Sequence, residues 1–305
     1  MKSENSKKLS RFVLRFMKVV IKRISTSDTV KKRVFANHKV VKIGNDAYKI
    51  TEGLIFNSYL FVGNDSAMLI DTGFGIKGLK ETVEHITDKQ LIVAVTNSHV
   101  GSSGGAGQFD RVYVHKKDIK DAKRWNGYKL RKLLFNIFPA KYLAKISDGD
   151  LIEEEGNFVP FGRRSEFNLG GRTIKVVHTP SYTKGSCCFK DSETGIVISG
   201  NVALPVSLMI FPHSATMYEY ERSLAKLLNM ADYNGKIYSL SGFKPLDRNR
   251  TNDLREMALN AVACGNDYTK FIRLRVSDDH KRFLVYFPAK TRRRKLWQRL
   301  KTIHS

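Results

Sequence analysis

A chain of 305 residues with 42% apolar content can bury one large core, and no apolar run is long enough to cross a membrane as a helix. Three cysteines, Cys187, Cys188 and Cys264, two of them adjacent, exclude a disulfide framework and fit buried thiols in a reducing compartment. The formal net charge of +24 is uneven, with +11 in residues 1–42, +9 in residues 281–305 and only +4 between, so two cationic tethers on a nearly balanced domain fit better than a uniformly basic protein.

The first tether carries a pattern. Residues 6–23 read SKKLSRFVLRFMKVVIKR, and Leu9, Phe12, Val13, Phe16 and Val20 recur at helical spacing. Arg11, Arg15, Lys18 and Lys22 fall mostly on the other side, which predicts an interfacial helix lying on an anionic membrane. An ordinary surface helix docked on the core is the competing reading. A signal peptide fits poorly, because Arg15 and Lys18 interrupt the apolar run.

The globular part is expected from about Lys42. Residues 48–50, 58–62 and 67–70 read as strands, with Gly63-Asn64-Asp65 turning between the last two. An Asp71-Thr72-Gly73 turn follows, then an amphipathic helix over residues 76–86. Residues 92–95 form an apolar strand that opens into a polar loop, TNSHVGSSGG, ending on Gly104-Gly105. A buried strand opening into a glycine-rich loop is where an α/β fold places its chemistry.

Residues 111–114 predict a further strand and 116–125 a helix. Residues 127–146, basic and apolar by turns and broken by Pro139, read as a lid or as a plain connecting helix pair. Residues 168–178 then lead into HTPSYTKGS, from His178 to Ser186. A strand over residues 195–204 ends through Gly200-Asn201, helices follow over 218–230 and 254–264, and a short strand over 237–242 lies between them. A last strand is expected over 282–287. The tail from Lys290 mixes Arg292, Arg293, Arg294 and Lys295 with Trp297.

Five of these landmarks resemble, in order, the signature turns of the metallo-β-lactamase family. They are the D-T-G turn, the T-H-x-H-x-D-H-x-G-G loop, the H-T-P-G-H-T-x-G-S segment, the G-D strand end and a closing strand that ends in G-H. The resemblance implies an α/β fold, a four-layer αββα sandwich of two mixed sheets with helices outside. It spans residues 48–264 within a domain of 36–288, flanked by the basic segment 1–35 and the tail 289–305.

The resemblance also implies a two-zinc hydrolase site, and this chain departs from it. The seven ligand positions read Asn97, His99, Gly101, Ser102, Tyr182, Asn201 and Phe243. Only His99 is a usual zinc donor, so no metal and no cofactor are expected, although zinc is expected of the family. Asp71 matches the Asp that lies beneath the metals. Two function classes follow. One is a non-catalytic binding or scaffold protein at the cytoplasmic face of an anionic membrane, holding a small molecule or protein at Asn97, His99, Ser102, Tyr182, Asn201 and Phe243. The other is a hydrolase with a rebuilt site on His99, Ser102 and Tyr182. Nucleic-acid binding is a third reading, and the oligomeric state is left open.

Overall fold

The computed structural model describes residues 34–35, 38–53, 56–137, 147–161, 166–204, 206–209, 214–232, 235–242, 244–263, 273–276 and 283–286. The first sheet takes its eight strands in chain order: β1 Val34–Phe35, β2 His38–Gly44, β3 Ala47–Glu52, β4 Phe56–Val62, β5 Ser66–Ile70, β6 Gln90–Ala94, β7 Val112–His115 and β8 Phe158–Phe161. The pairings from β1 to β5 are antiparallel, and those from β5 to β8 are parallel. The second sheet contains β9 Glu166–Asn168, β10 Thr173–His178, β11 Cys187–Asp191, β12 Val197–Gly200 and β14 Ile237–Ser239, in the order β14-β12-β11-β10-β9. β13 Val206–Met209, β15 Arg273–Val276 and β16 Phe283–Tyr286 make a third, three-stranded sheet.

Strand alternation builds the layers. Successive side chains point to opposite faces of a sheet. Tyr59, Phe61, Met68 and Ile70 therefore meet Ile174, Val176, Phe189 and Ile198 between the two large sheets. Leu60, Ala67 and Leu69 face the other way, onto Leu79 and Val83 of α1 Leu79–Glu84 and Ala122 of α3 Ile119–Asn126. On the second sheet, Cys188 and Val197 turn outward to Tyr220, Leu224 and Leu227 of α5 Met217–Met230 and to Leu254 and Met257 of α6 Arg248–Ala263. This is the helix–sheet–sheet–helix order implied by the sequence. Each fully buried side chain of this size contributes about 1.5–3 kcal/mol, and truncating Phe61 to Ala would cost about 3–5 kcal/mol.

Arg172, 1% exposed, ties the sheets together at one end. Its guanidinium donates to the carbonyls of Asn45, Asp46 and Val62 and pairs with Asp191 at 3.1 Å. A backbone bond of 2.8 Å from Cys187 N to Thr96 O ties them near the opposite strand ends.

Most predicted elements appear with shifted ends. The first helix is shorter than expected, 79–84 against 76–86, because Gly78 adopts φ 100° immediately before it. The last helix begins earlier, at Arg248, where Asp247 Oδ1 accepts from Arg250 N at 2.7 Å and satisfies one of the first-turn donors. Strands β1 and β2 extend the first sheet ahead of Lys42, to Val34. The second half of the 127–146 segment lies outside the described residues; its first half is α4 Tyr128–Ile137. Both cationic ends also lie outside them, including Arg11, Phe12, Arg15, Phe16, Lys18, Lys22, Arg292, Arg293, Arg294 and Trp297. Among the described residues, no helix is long and apolar enough to cross a membrane.

Candidate functional site

Two parallel strands set the site. β5 and β6 run side by side with Ile70 opposite Ala94, so their C-terminal ends open at the same level. Asp71 N donates to Ala94 O at 2.8 Å, and φ of 65° at Asp71 turns its carboxylate back under the next loop. There Asp71 Oδ1 accepts from Thr96 N at 2.7 Å, and Thr96 Oγ1 lies 3.0 and 2.9 Å from its two oxygens. Burial pushes the Asp71 carboxyl up to about 7, against the opposing hydrogen bonds from Thr96 and Ser102.

The loop over 96–105 closes on itself. Asn97 Nδ2 donates to Thr96 Oγ1 and to Ser102 Oγ, each at 3.0 Å, and Asn97 Oδ1 accepts from His99 N at 2.9 Å. Thr72 N donates to Ser102 O at 2.7 Å, which stitches the loop to the Asp-Thr-Gly turn. Gly104 and Gly105 permit that closeness: a Cβ on either would come within 2.1 Å of a backbone oxygen, Phe74 O or Thr72 O. Thr96, Asn97 and Ser102 are at most 1% exposed.

The 178–186 loop supplies the opposite wall. Tyr182 Oη lies 3.2 Å from His99 Nε2, with the two rings edge to face at 4.9 Å. Burial raises the Tyr182 phenol far above its ordinary value, so it stays protonated and can donate to the imidazole. Trp125, at the end of α3, also packs against His99, with ring centroids 5.0 Å apart. Asn201 follows the end of β12 and is 7% exposed; its Oδ1 is buried with no hydrogen-bond partner. Phe243 lies outside the described residues.

Gly101 shows what has filled the space. A Cβ there would meet Phe56 Cε1 at 2.6 Å and Leu240 Cδ2 at 3.3 Å. Phe56 in turn stacks on Phe74 at 5.8 Å. The position where the family pattern has an Asp is therefore covered by an aromatic ring and a leucine. Among the described residues, no group of three or more His, Cys, Asp or Glu side chains gathers in one place.

Three polar supports escaped the sequence reading. Glu52, fully buried, accepts from the backbone N–H groups of Phe74, Gly75 and Ile76 and so holds the turn after Asp71. Burial lifts its carboxyl to about 7, with those three hydrogen bonds and Arg131 opposing. Asp118 accepts from Ser98 N at 3.0 Å, Thr183 Oγ1 at 2.5 Å and Gly185 N at 2.7 Å, bridging both site loops. Buried Arg131 donates to the carbonyls of Asn126, Ile152 and Glu154. None stands in a motif; each acquires its role only when distant segments meet.

Comparison with known proteins agrees with this geometry. A sequence profile of the metallo-beta-lactamase superfamily matches residues 52–242. The human protein named acyl-coenzyme A thioesterase MBLAC2 is 25% identical over 205 residues, which span 58% of this chain and 68% of the human one. In fold, the chain is similar to the metallo-beta-lactamase family protein TTHA1429 of Thermus thermophilus, with TM-score 0.53 and 17% identity over 75% of this chain and 84% of that one. It is also similar to a metallo-beta-lactamase from Pontibacter korlensis, with TM-score 0.53 and 14% identity over 73% and 99%. The profile match, the ordered landmarks and the two facing mixed sheets place the chain in the metallo-beta-lactamase superfamily.

Proposed function

We propose that this protein is a metal-independent binding member of its superfamily, holding an acyl ligand at the former metal site without hydrolysing it. One observation carries the reading: at the ligand positions the side chains bond to one another. Asn97 is held by Thr96, Ser102 and the His99 backbone, and the His99 ring faces Tyr182. A catalytic zinc takes about three donors from His, Asp, Glu and Cys. The described positions offer one imidazole, two amides, a hydroxyl and a protonated phenol. Asp71 is buried beneath them, with both oxygens engaged by Thr96. This donor set does not fit zinc.

The acyl ligand is argued from the lining and from the relatives. Phe56 and Leu240 cover Gly101, Phe74 stacks on Phe56, and Trp125 and Tyr182 pack against His99; apolar groups of this kind beside a few polar ones suit a ligand with an apolar chain. The unpartnered Asn201 Oδ1 is an acceptor that a ligand N–H or hydroxyl can satisfy. The relatives' name, acyl-coenzyme A thioesterase, supplies the class. The cationic ends add a second function, attachment to an anionic membrane surface, at about 1 kcal/mol for each basic residue near the surface.

A second reading, a hydrolase without metal, is favoured by the same relatives and by the His99–Tyr182 contact. Ser102 argues against itself as its nucleophile, since it is fully buried and receives a hydrogen bond from Asn97. The test is lauroyl-coenzyme A added to the purified chain, with binding followed by calorimetry and thiol release by absorbance. Binding that weakens in Tyr182→Ala without thiol release supports the proposal. Thiol release that disappears in His99→Ala establishes the hydrolase instead.

A further inference from the structure

Outside that site, the ends of β7 and β10 bring two histidines together. The rings of His115 and His178 stack at 4.3 Å and 7° between planes. His178 Nε2 lies 2.8 Å from Lys184 O, which assigns its proton to that nitrogen, since a carbonyl only accepts. His115 Nδ1 accepts from Lys117 N at 3.3 Å, which puts the other proton on Nε2. His115 is 6% exposed, and its Nε2–H, for which no described residue is an acceptor, is not among the fully buried unpartnered atoms and so is open to water or a ligand.

The charges around the pair are mostly of one sign. Burial comes first in disfavouring a protonated ring at both histidines; the neighbouring His178, then Lys117 and Lys116, add to it at His115, and Lys117 and Lys226 add to it at His178. Lys226 Nζ also donates to His178 O at 2.9 Å, which fixes it beside the stack. Lys184 is exposed on the same loop. The acids nearby are engaged: Glu219 closes the capping box of α5 with Thr216, and Asp118 is buried under three donors. Two stacked neutral imidazoles with Lys226 held beside them, Lys116 and Lys117 next in chain to His115, and an N–H without a described acceptor offer donors and positive charge to an anion.

We propose that His115, His178, Lys116, Lys117 and Lys226 form a binding site for a phosphoryl group, either of a free phosphate compound or of a lipid headgroup. The shared chemistry is oxygen acceptors for the His115 Nε2–H and negative charge among the lysines. The loop that carries Lys184 and His178 also carries Tyr182, so an occupant here would brace one wall of the former metal site. The site stands on different residues from the acyl-binding reading and does not depend on it.

The experiment is a pH titration of the imidazole nitrogen resonances of the full chain, with and without inorganic pyrophosphate at matched ionic strength. Resonances missing from His115→Asn and His178→Asn give the assignments. The expected result is that pyrophosphate raises the apparent pKa of the pair by about one unit, and that Lys116→Gln/Lys117→Gln weakens its affinity about tenfold. Phosphatidic acid vesicles form the second arm. A response to vesicles alone identifies a headgroup, and a response to pyrophosphate identifies a soluble ligand; either supports the site. Imidazole resonances unmoved by both probes overturn it, and affinity unchanged in the double lysine variant means an adventitious ion only.

Discussion

Gly101 is the residue at which this chain differs most sharply in shape from its superfamily pattern. Restoring the family's Asp there places a Cβ 2.6 Å from the Phe56 ring and a carboxylate at a buried position. Overpacking and an unpaired buried charge both destabilise, so Gly101→Asp is expected to lower unfolding free energy by about 2–4 kcal/mol. Adding Phe56→Ala should recover part of the loss. Denaturant unfolding of the two variants checks this, and equal stability of Gly101→Asp and the wild type would refute the crowded geometry.

Glu52 makes a second prediction at the same scale, through pH. Its carboxyl is raised from 4.5 to about 7 in the folded chain, so between those values the folded state binds more protons than the unfolded one. Stability from this group is full below about pH 4.5 and is lost as pH rises through 7. Asp71 acts with the same sign. His38 and His115, lowered from 6.5 to about 4 by burial, act with the opposite sign and lose their contribution as pH falls. The stability of the wild type minus that of Glu52→Gln should therefore shrink between pH 4.5 and 7. A difference independent of pH over that range would mean that Glu52 is ionised throughout.

Among the elements, the N-terminus of α3 is the anchor that both site loops share. Asp118 precedes the helix and binds Ser98 of one loop and Thr183 and Gly185 of the other. Asp118→Ala leaves three donors without that acceptor, at about 1–3 kcal/mol for each buried group left unpaired. Amide exchange should quicken in residues 98 and 183–185 well before it does in β5 or β6. Exchange that quickens equally in all these segments would show that the loops do not depend on this anchor.

Elements also mark the limit of what the sequence discloses. The Asp-Thr-Gly turn, the 96–105 loop and the His178–Ser186 segment are legible because each concentrates its fixed residues in one short stretch of sequence, as the 96–105 loop does in ending on Gly104-Gly105. Strands β1, β2, β8, β11, β13 and β15 have no counterpart in the sequence reading. Most are short, and β11, Cys187–Asp191, places Cys187 and Phe189 inward and Cys188 outward, so its apolar run has no period. Trp125, Phe56 and Leu240 were passed over for another reason. Each enters the site from a segment distant in sequence, and nothing local distinguishes such an aromatic or leucine from one in a core.

At the scale of the whole molecule, a nearly neutral domain lies between two cationic segments. If the proposed attachment to an anionic surface holds, deleting residues 1–25 reduces co-sedimentation with anionic vesicles about tenfold or more and leaves neutral vesicles unaffected. Preference for nucleic acid over those vesicles would assign the charge to a different partner. On the proposed reading the domain keeps its superfamily's frame without its metal chemistry. Elemental analysis after purification in zinc-containing buffer decides this: no zinc above background is expected, and one or two zinc ions per chain would overturn the reading.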